Sequence, residues 1–173
     1  MDLFACAKGL TISMMLSLSL PGCGSPSPLC GLEGSDATCP VDNPFCHELA
    51  GTCWTDEHTG STYQDAATWC ADLKGTLPSI SDLRAIVEDC PATETGGACG
   101  VTDECTKTSC LTMACQGCGD GGHDLFHNEN PFWSGTAVSD APGERFVMVY
   151  RYSLIHTAPE TQDFNSAYCT RTP

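Results

Sequence analysis

Thr62-Tyr63-Gln64-Asp65-Ala66-Ala67-Thr68-Trp69-Cys70-Ala71-Asp72-Leu73 and, after Lys74-Gly75-Thr76, Leu77-Pro78-Ser79-Ile80-Ser81-Asp82-Leu83 are the stretches whose pattern decides the fold. Thr62 and Asp65 stand three apart, a spacing in which side chains satisfy the free backbone N–H groups of a helix start. Tyr63, Ala66, Ala67, Cys70 and Leu73 then recur at helical spacing, and Gly75 supplies a C-terminal cap. Leu77 is extended, because the proline after it disfavours helix. Ser79 and Asp82 repeat the capping signature and open a second helix, with the apolar stripe Leu83, Ile86, Val87 and Cys90. Both stripes read as core.

Strand signals come later. Phe132-Trp133-Ser134-Gly135-Thr136 is short and aromatic, and Ala141-Pro142-Gly143-Glu144 is a turn. Arg145-Phe146-Val147-Met148-Val149-Tyr150-Arg151-Tyr152 alternates larger residues with smaller or polar ones, as a strand does. Asn165 to Arg171 reads as a last strand tied down by Cys169. Between helices and strands, residues 90–131 form a long insert rich in Cys, Gly, Thr and acids. So long a structureless stretch is unusual in a compact domain. Its six cysteines, Cys90, Cys99, Cys105, Cys110, Cys115 and Cys118, explain how it is ordered, and they allow fifteen pairings. The pattern is that of an α+β domain over residues 60–173.

The N-terminal part differs in kind. Lys8 and the short apolar run Leu10 to Leu20 describe a secretory signal peptide over residues 1–22. The run is shorter than the roughly 20 residues that a membrane span needs. Leu20-Pro21-Gly22-Cys23 resembles the lipobox of bacterial lipoproteins, in which the cysteine is lipidated and becomes the new N-terminus; Pro21 replaces the usual small residue. Each buried methylene of such an anchor contributes about 0.8 kcal/mol. Ordinary signal cleavage, with Cys23 as one more disulfide cysteine, is the alternative. Gly24 after the cysteine is compatible with the outer membrane, by resemblance to lipoprotein sorting rules. Residues 23–29 form a Pro/Ser tether. Residues 30–56 follow as a small module stapled by Cys30, Cys39, Cys46 and Cys53, in any of three pairings.

The 173 residues carry 14 cysteines and a net charge of −15. So much cysteine belongs to oxidising compartments. Removing Cys6 with the leader and Cys23 to the lipid leaves twelve, an even number that fits full pairing. The acidic balance makes nucleic acid and anionic lipid surfaces poor partners.

Several motifs together resemble one family. Ala67-Thr68-Trp69-Cys70-Ala71-Asp72-Leu73 is similar to the first-helix motif of the Lcl C-terminal domain family, named after a collagen-like bacterial adhesin. Leu77-Pro78-Ser79-Ile80-Ser81-Asp82-Leu83 resembles its Leu-Pro-Thr-x-x-Glu-Leu motif, Phe132-Trp133-Ser134-Gly135-Thr136 its aromatic-Trp-Ser-Ser-Thr strand, and Tyr168-Cys169-Thr170-Arg171 its closing strand. The resemblance spans residues 63–171 and implies a C-type lectin-like fold of two helices, a mostly antiparallel sheet and a long loop region presenting the ligand surface. It also implies a bridge from Cys70 to Cys169. Gly75-Thr76 and Tyr168 stand where the family has Trp-Arg and Arg, which removes arginines that a basic surface would use.

Candidate sites are few. Asp120, Asp124, Asn128, Glu129 and Asn130 are oxygen donors in a Gly-rich stretch and would suit calcium, although the spacing is not that of an EF-hand. They read first as a solvated acidic loop, and no cofactor is expected. Cys110, Cys115 and Cys118 with His123 and His127 have zinc-like spacing, but in an exported chain disulfides are the expectation. Cys115-Gln116-Gly117-Cys118 could imitate a dithiol, without the flanking units of a redox enzyme. Trp133, with Asp120, Asp124 and Asn128, is a candidate ligand surface, since aromatic rings stack on sugars; a core position is the alternative for Trp133. The expected function is that of a non-enzymatic adhesion or recognition lipoprotein, binding a carbohydrate or protein ligand through the insert and neighbouring loops. A structural envelope protein is the second reading, and a relative of the formylglycine-generating oxidases the third.

Overall fold

The structure is a computed structural model and describes residues 45–119, 129–163 and 165–171. The leader, Cys23, Cys30, Cys39, Asp120, Asp124 and Asn128 lie outside the described residues, as does the side chain of Cys46. The described part is α+β, with two helices, two sheets and several disulfides.

Helix α1 spans Tyr63–Asp72 and begins as its sequence requires, with the Asp65 N–H donating to Thr62 Oγ1. Its end differs from the sequence expectation. Lys74, not Gly75, takes the left-handed conformation, with φ +59°. Lys74 N–H donates to Ala71 O and Gly75 N–H to Cys70 O, the paired bonds of a Schellman motif. Gly75 is thus one place too late to be the left-handed residue. Helix α2 spans Ile80–Ala85 and carries a full capping box between Ser79 and Asp82. It stops earlier than the apolar stripe suggested: Ile86, Val87 and Cys90 are buried but not helical. Asp89 turns the chain with φ +58°, and Glu94 caps the Cys90 N–H.

Strands β1 (Phe45–Leu49) and β2 (Thr52–Thr55) form a hairpin, and β3 (His58–Ser61) follows it. Strands β4 (Pro131–Ala137), β5 (Glu144–Val149), β6 (Leu154–Pro159), β7 (Asn165–Ala167) and β8 (Thr170–Arg171) come after the insert. The hairpin lies within the cysteine-rich stretch 30–56, and β2 pairs with β8 at the other end of the domain. The larger sheet has the order β3-β7-β4-β5-β6 and is antiparallel except between β4 and β7. The expected strand 145–152 ends at Val149; Tyr150–Tyr152 form a 3-10 turn, and Ser153 is left-handed at φ +51°.

The register assigns the core. Phe132 pairs with Met148 and Met148 with Ile155, so these three share one face, which the Ile80 and Leu83 side chains of α2 and Val101 of the insert help to cover. One residue along, Trp133 pairs with Val147 on the opposite face, which Ala66 and Cys70 of α1 cover. The sheet is therefore sandwiched between α1 and a layer made of α2 and the insert. Disulfide Cys70–Cys169 ties α1 to the chain's last strands, the pairing the resemblance implied.

Candidate functional site

The insert, the expected binding region, is built around three nested bridges: Cys90–Cys118 outside, Cys99–Cys115 within it and Cys105–Cys110 innermost. Arg84 of α2 fastens it from below. Its guanidinium is buried and donates to the carbonyls of Thr93 (2.8 Å), Glu94 (2.7 Å) and Val101 (2.5 Å). Burial lowers its pKa from the ordinary value. Asp140, beyond β4, holds the far edge by accepting from the N–H and the hydroxyl of Thr108. Those bonds keep its carboxyl below the ordinary range. Cys110, Cys115 and Cys118 are each in a different bridge, so none is a thiolate available to zinc, and Cys115 and Cys118 do not form a dithiol pair with each other. Of the suggested calcium donors, Glu129 and Asn130 lie among the described residues, and Glu129 is in an ion pair with Arg151.

Trp133 is not on a ligand surface. It is fully buried, its Nε1–H donates to Ser61 O at 3.0 Å, and α1 covers its face of the sheet. Its neighbour Phe132 is fully buried on the other face, whereas Tyr152 is exposed.

An open groove of about 460 Å³ lies elsewhere, between α1, the segment Gly75–Ser79 and β4. Tyr63, Ala67 and Ala71 form one wall, Gly135 and Thr136 another, and Thr76 and Leu77 the third. Small residues make the space: a Cβ on Gly135 would come 3.2 Å from Leu77 O. Tyr63, at the first turn of α1, is held from outside the groove. The Arg145 guanidinium lies 4.0 Å from its ring centroid, Arg145 Nε donates to Glu160 at 2.7 Å, and Arg145 Nη1 donates to Gly135 O at 3.1 Å. Trp133 meets the ring edge-on at 5.8 Å, and the Tyr63 N–H donates to Glu160 O. One arginine thus ties the α1 wall to the β4 wall.

The lining is uncharged, and its polar groups divide into two kinds. Ser79 and Thr136 are engaged: Ser79 Oγ accepts from Asp82 N–H, and Thr136 Oγ1 accepts from Ile80 N–H and donates to Asp103. The hydroxyls of Tyr63 and Thr76 and the N–H of Leu77 have no hydrogen-bond partner among the described residues. Thr76 spends its own N–H and C=O on Thr170, so the neighbouring Leu77 N–H turns away from β8 by the alternation of extended chain. Sequence reasoning missed this site, because Tyr63 and Ala67 fall on the same helical stripe as the core residues Ala66 and Cys70. Their place at the rim of that stripe was the available signal.

Compared with known proteins, the chain matches no family model, no curated protein and no solved structure.

Proposed function

We propose that the protein is an exported binding module, tethered through Cys23, that recognises a carbohydrate or protein ligand at the cell surface. The observation that carries this reading is the groove: a preformed concavity with an uncharged lining, an aromatic ring held in place and unpaired polar groups, in the volume range of ligand sites. A C-type lectin-like fold is part of the proposal. Two helices on a mostly antiparallel sheet, the Cys70–Cys169 bridge and a long stapled insertion before β4 support it. The surface proposed is the groove between α1, Gly75–Ser79 and β4, in place of the insert that the sequence suggested.

The test is a glycan array probed with the mature, oxidised protein, together with capture of surface proteins by the same material. Saturable binding to a defined ligand supports the module. Absence of binding in both formats rejects it in favour of a structural envelope role. The anchor is tested separately: Cys23→Ala should release the protein from membranes without changing its fold.

A further inference from the structure

We infer that the groove takes an uncharged saccharide and does so without calcium; this rests on the binding-module reading and narrows it. No acidic or basic side chain lines the groove, and the nearby cation, Arg145, is already spent on Glu160, Gly135 O and the Tyr63 ring. A carboxylate or sulfate entering the groove would find no counter-ion, on a chain whose net charge is −15. The carboxylates around it are also committed: Asp82 to the α2 capping box and Asp103 to Thr136. A cationic ligand would therefore meet no available acid among the lining residues.

The groove also sets two kinds of surface side by side. Ala67, Ala71 and Leu77 offer a small apolar wall, while the Tyr63 and Thr76 hydroxyls and the Leu77 N–H offer unpaired polar groups beside it. A sugar has the same division, with C–H faces between hydroxyls that both donate and accept. A purely apolar ligand would leave those three groups desolvated and unpaired, which is costly. A calcium-bridged sugar needs carboxylate and carbonyl oxygens around the metal, and the lining supplies no carboxylate. Arg145 acts as a positioning residue, fixing the Tyr63 ring before the ligand arrives and so reducing the ordering cost of binding.

The experiment is the array of neutral and acidic glycans with chelator present, comparing the wild-type mature protein with Tyr63→Ala, Thr76→Val and Ala71→Trp. Ala71 is exposed, so tryptophan there fills the groove from the solvent side and leaves the core intact. Neutral glycans should bind in chelator, with affinity lowered tenfold or more by Ala71→Trp and Tyr63→Ala and several-fold by Thr76→Val. Far-ultraviolet circular dichroism should be unchanged for Ala71→Trp and Thr76→Val. Binding confined to acidic glycans, or lost on chelation, overturns the inference and leaves the module standing. Neutral binding that Ala71→Trp does not weaken overturns the assignment to this groove. No glycan bound at all overturns the inference, and protein capture then decides the broader reading.

Discussion

Arg84 Nη2 donates to the carbonyl of Glu94 at 2.7 Å, so a side chain of the second helix reaches under the insert and holds its backbone. Two more carbonyls, those of Thr93 and Val101, complete the set. A buried cation satisfied by carbonyl dipoles is costly to disturb, because either partner left alone is desolvated and unpaired. Arg84→Met should destabilise the oxidised protein by roughly 3 kcal/mol or more. Arg84→Lys should recover only part of that, since an ammonium cannot span the same fork. Urea unfolding of the two variants gives the numbers, and losses under 1 kcal/mol for both would show that the insert does not depend on this clamp.

The disulfides should differ in value because they are nested. Bridge Cys70–Cys169 spans 99 residues, of which the insert's outer bridge removes 28, so the loop it closes is effectively about 71 residues. Loop entropy assigns such a closure about 4 kcal/mol, against about 2 kcal/mol for the 5-residue span of Cys105–Cys110. The paired alanine variants Cys70→Ala/Cys169→Ala and Cys105→Ala/Cys110→Ala should lose stability in that ratio. Equal losses in denaturant titration would show that native-state strain or packing, rather than chain entropy, sets the contribution.

Gly117 and Gly96 separate two reasons for a glycine. Both have positive φ, +78° and +82°. A Cβ on Gly96 meets nothing within 4 Å, whereas one on Gly117 would lie 1.8 Å from Tyr152 O. That carbonyl accepts from Cys118 N–H and seats the end of the insert on the turn after β5. Gly96→Ala should cost about 1 kcal/mol for backbone strain alone. Gly117→Ala should cost about 3 kcal/mol or more, because the steric term adds to it. Indistinguishable unfolding midpoints for the two would contradict this seating.

These interactions show what the sequence could and could not convey. Both helices were legible because their signals are local: Thr62 with Asp65, Ser79 with Asp82, and apolar residues at helical spacing. Strands β4 and β5 were legible from runs of aromatic and β-branched residues. Strands β1 to β3 and β6 were not, since His58–Ser61 is polar and gains its strand character from β7, more than 100 residues away. Trp133 stood out as an aromatic candidate, yet only the register reveals that its face lies under α1. Lys74 illustrates a finer limit: glycine marks a helix end, but the hydrogen-bond pattern chooses which residue takes positive φ. The groove was hidden for a related reason. Periodicity finds a helix's apolar face but not the place along it, here Tyr63 and Ala67, where the core gives way to an open surface.

Alkaline titration should expose the two tyrosines that lie deepest. Burial holds the phenols of Tyr150 and Tyr168 well above their ordinary value, with Glu88 adding to the first and Glu57 and Asp56 to the second. Folding therefore favours the protonated phenol. The unfolded chain ionises near pH 10, so this contribution is fully present below about pH 10. It is lost above that at about 1.4 kcal/mol per pH unit for each tyrosine. Tyr150 also donates to Leu83 O at 2.8 Å, binding the turn after β5 to α2. Tyr150→Phe should cost about 1 kcal/mol at pH 8 through that hydrogen bond. It should also roughly halve the decline in stability between pH 10 and pH 11.5, because one of the two buried phenols no longer ionises on unfolding. Urea midpoints across that range measure both effects. An unchanged slope in Tyr150→Phe would mean that the Tyr150 hydroxyl ionises within the folded protein, and so has access to water that the packing of β5 against α2 should deny it.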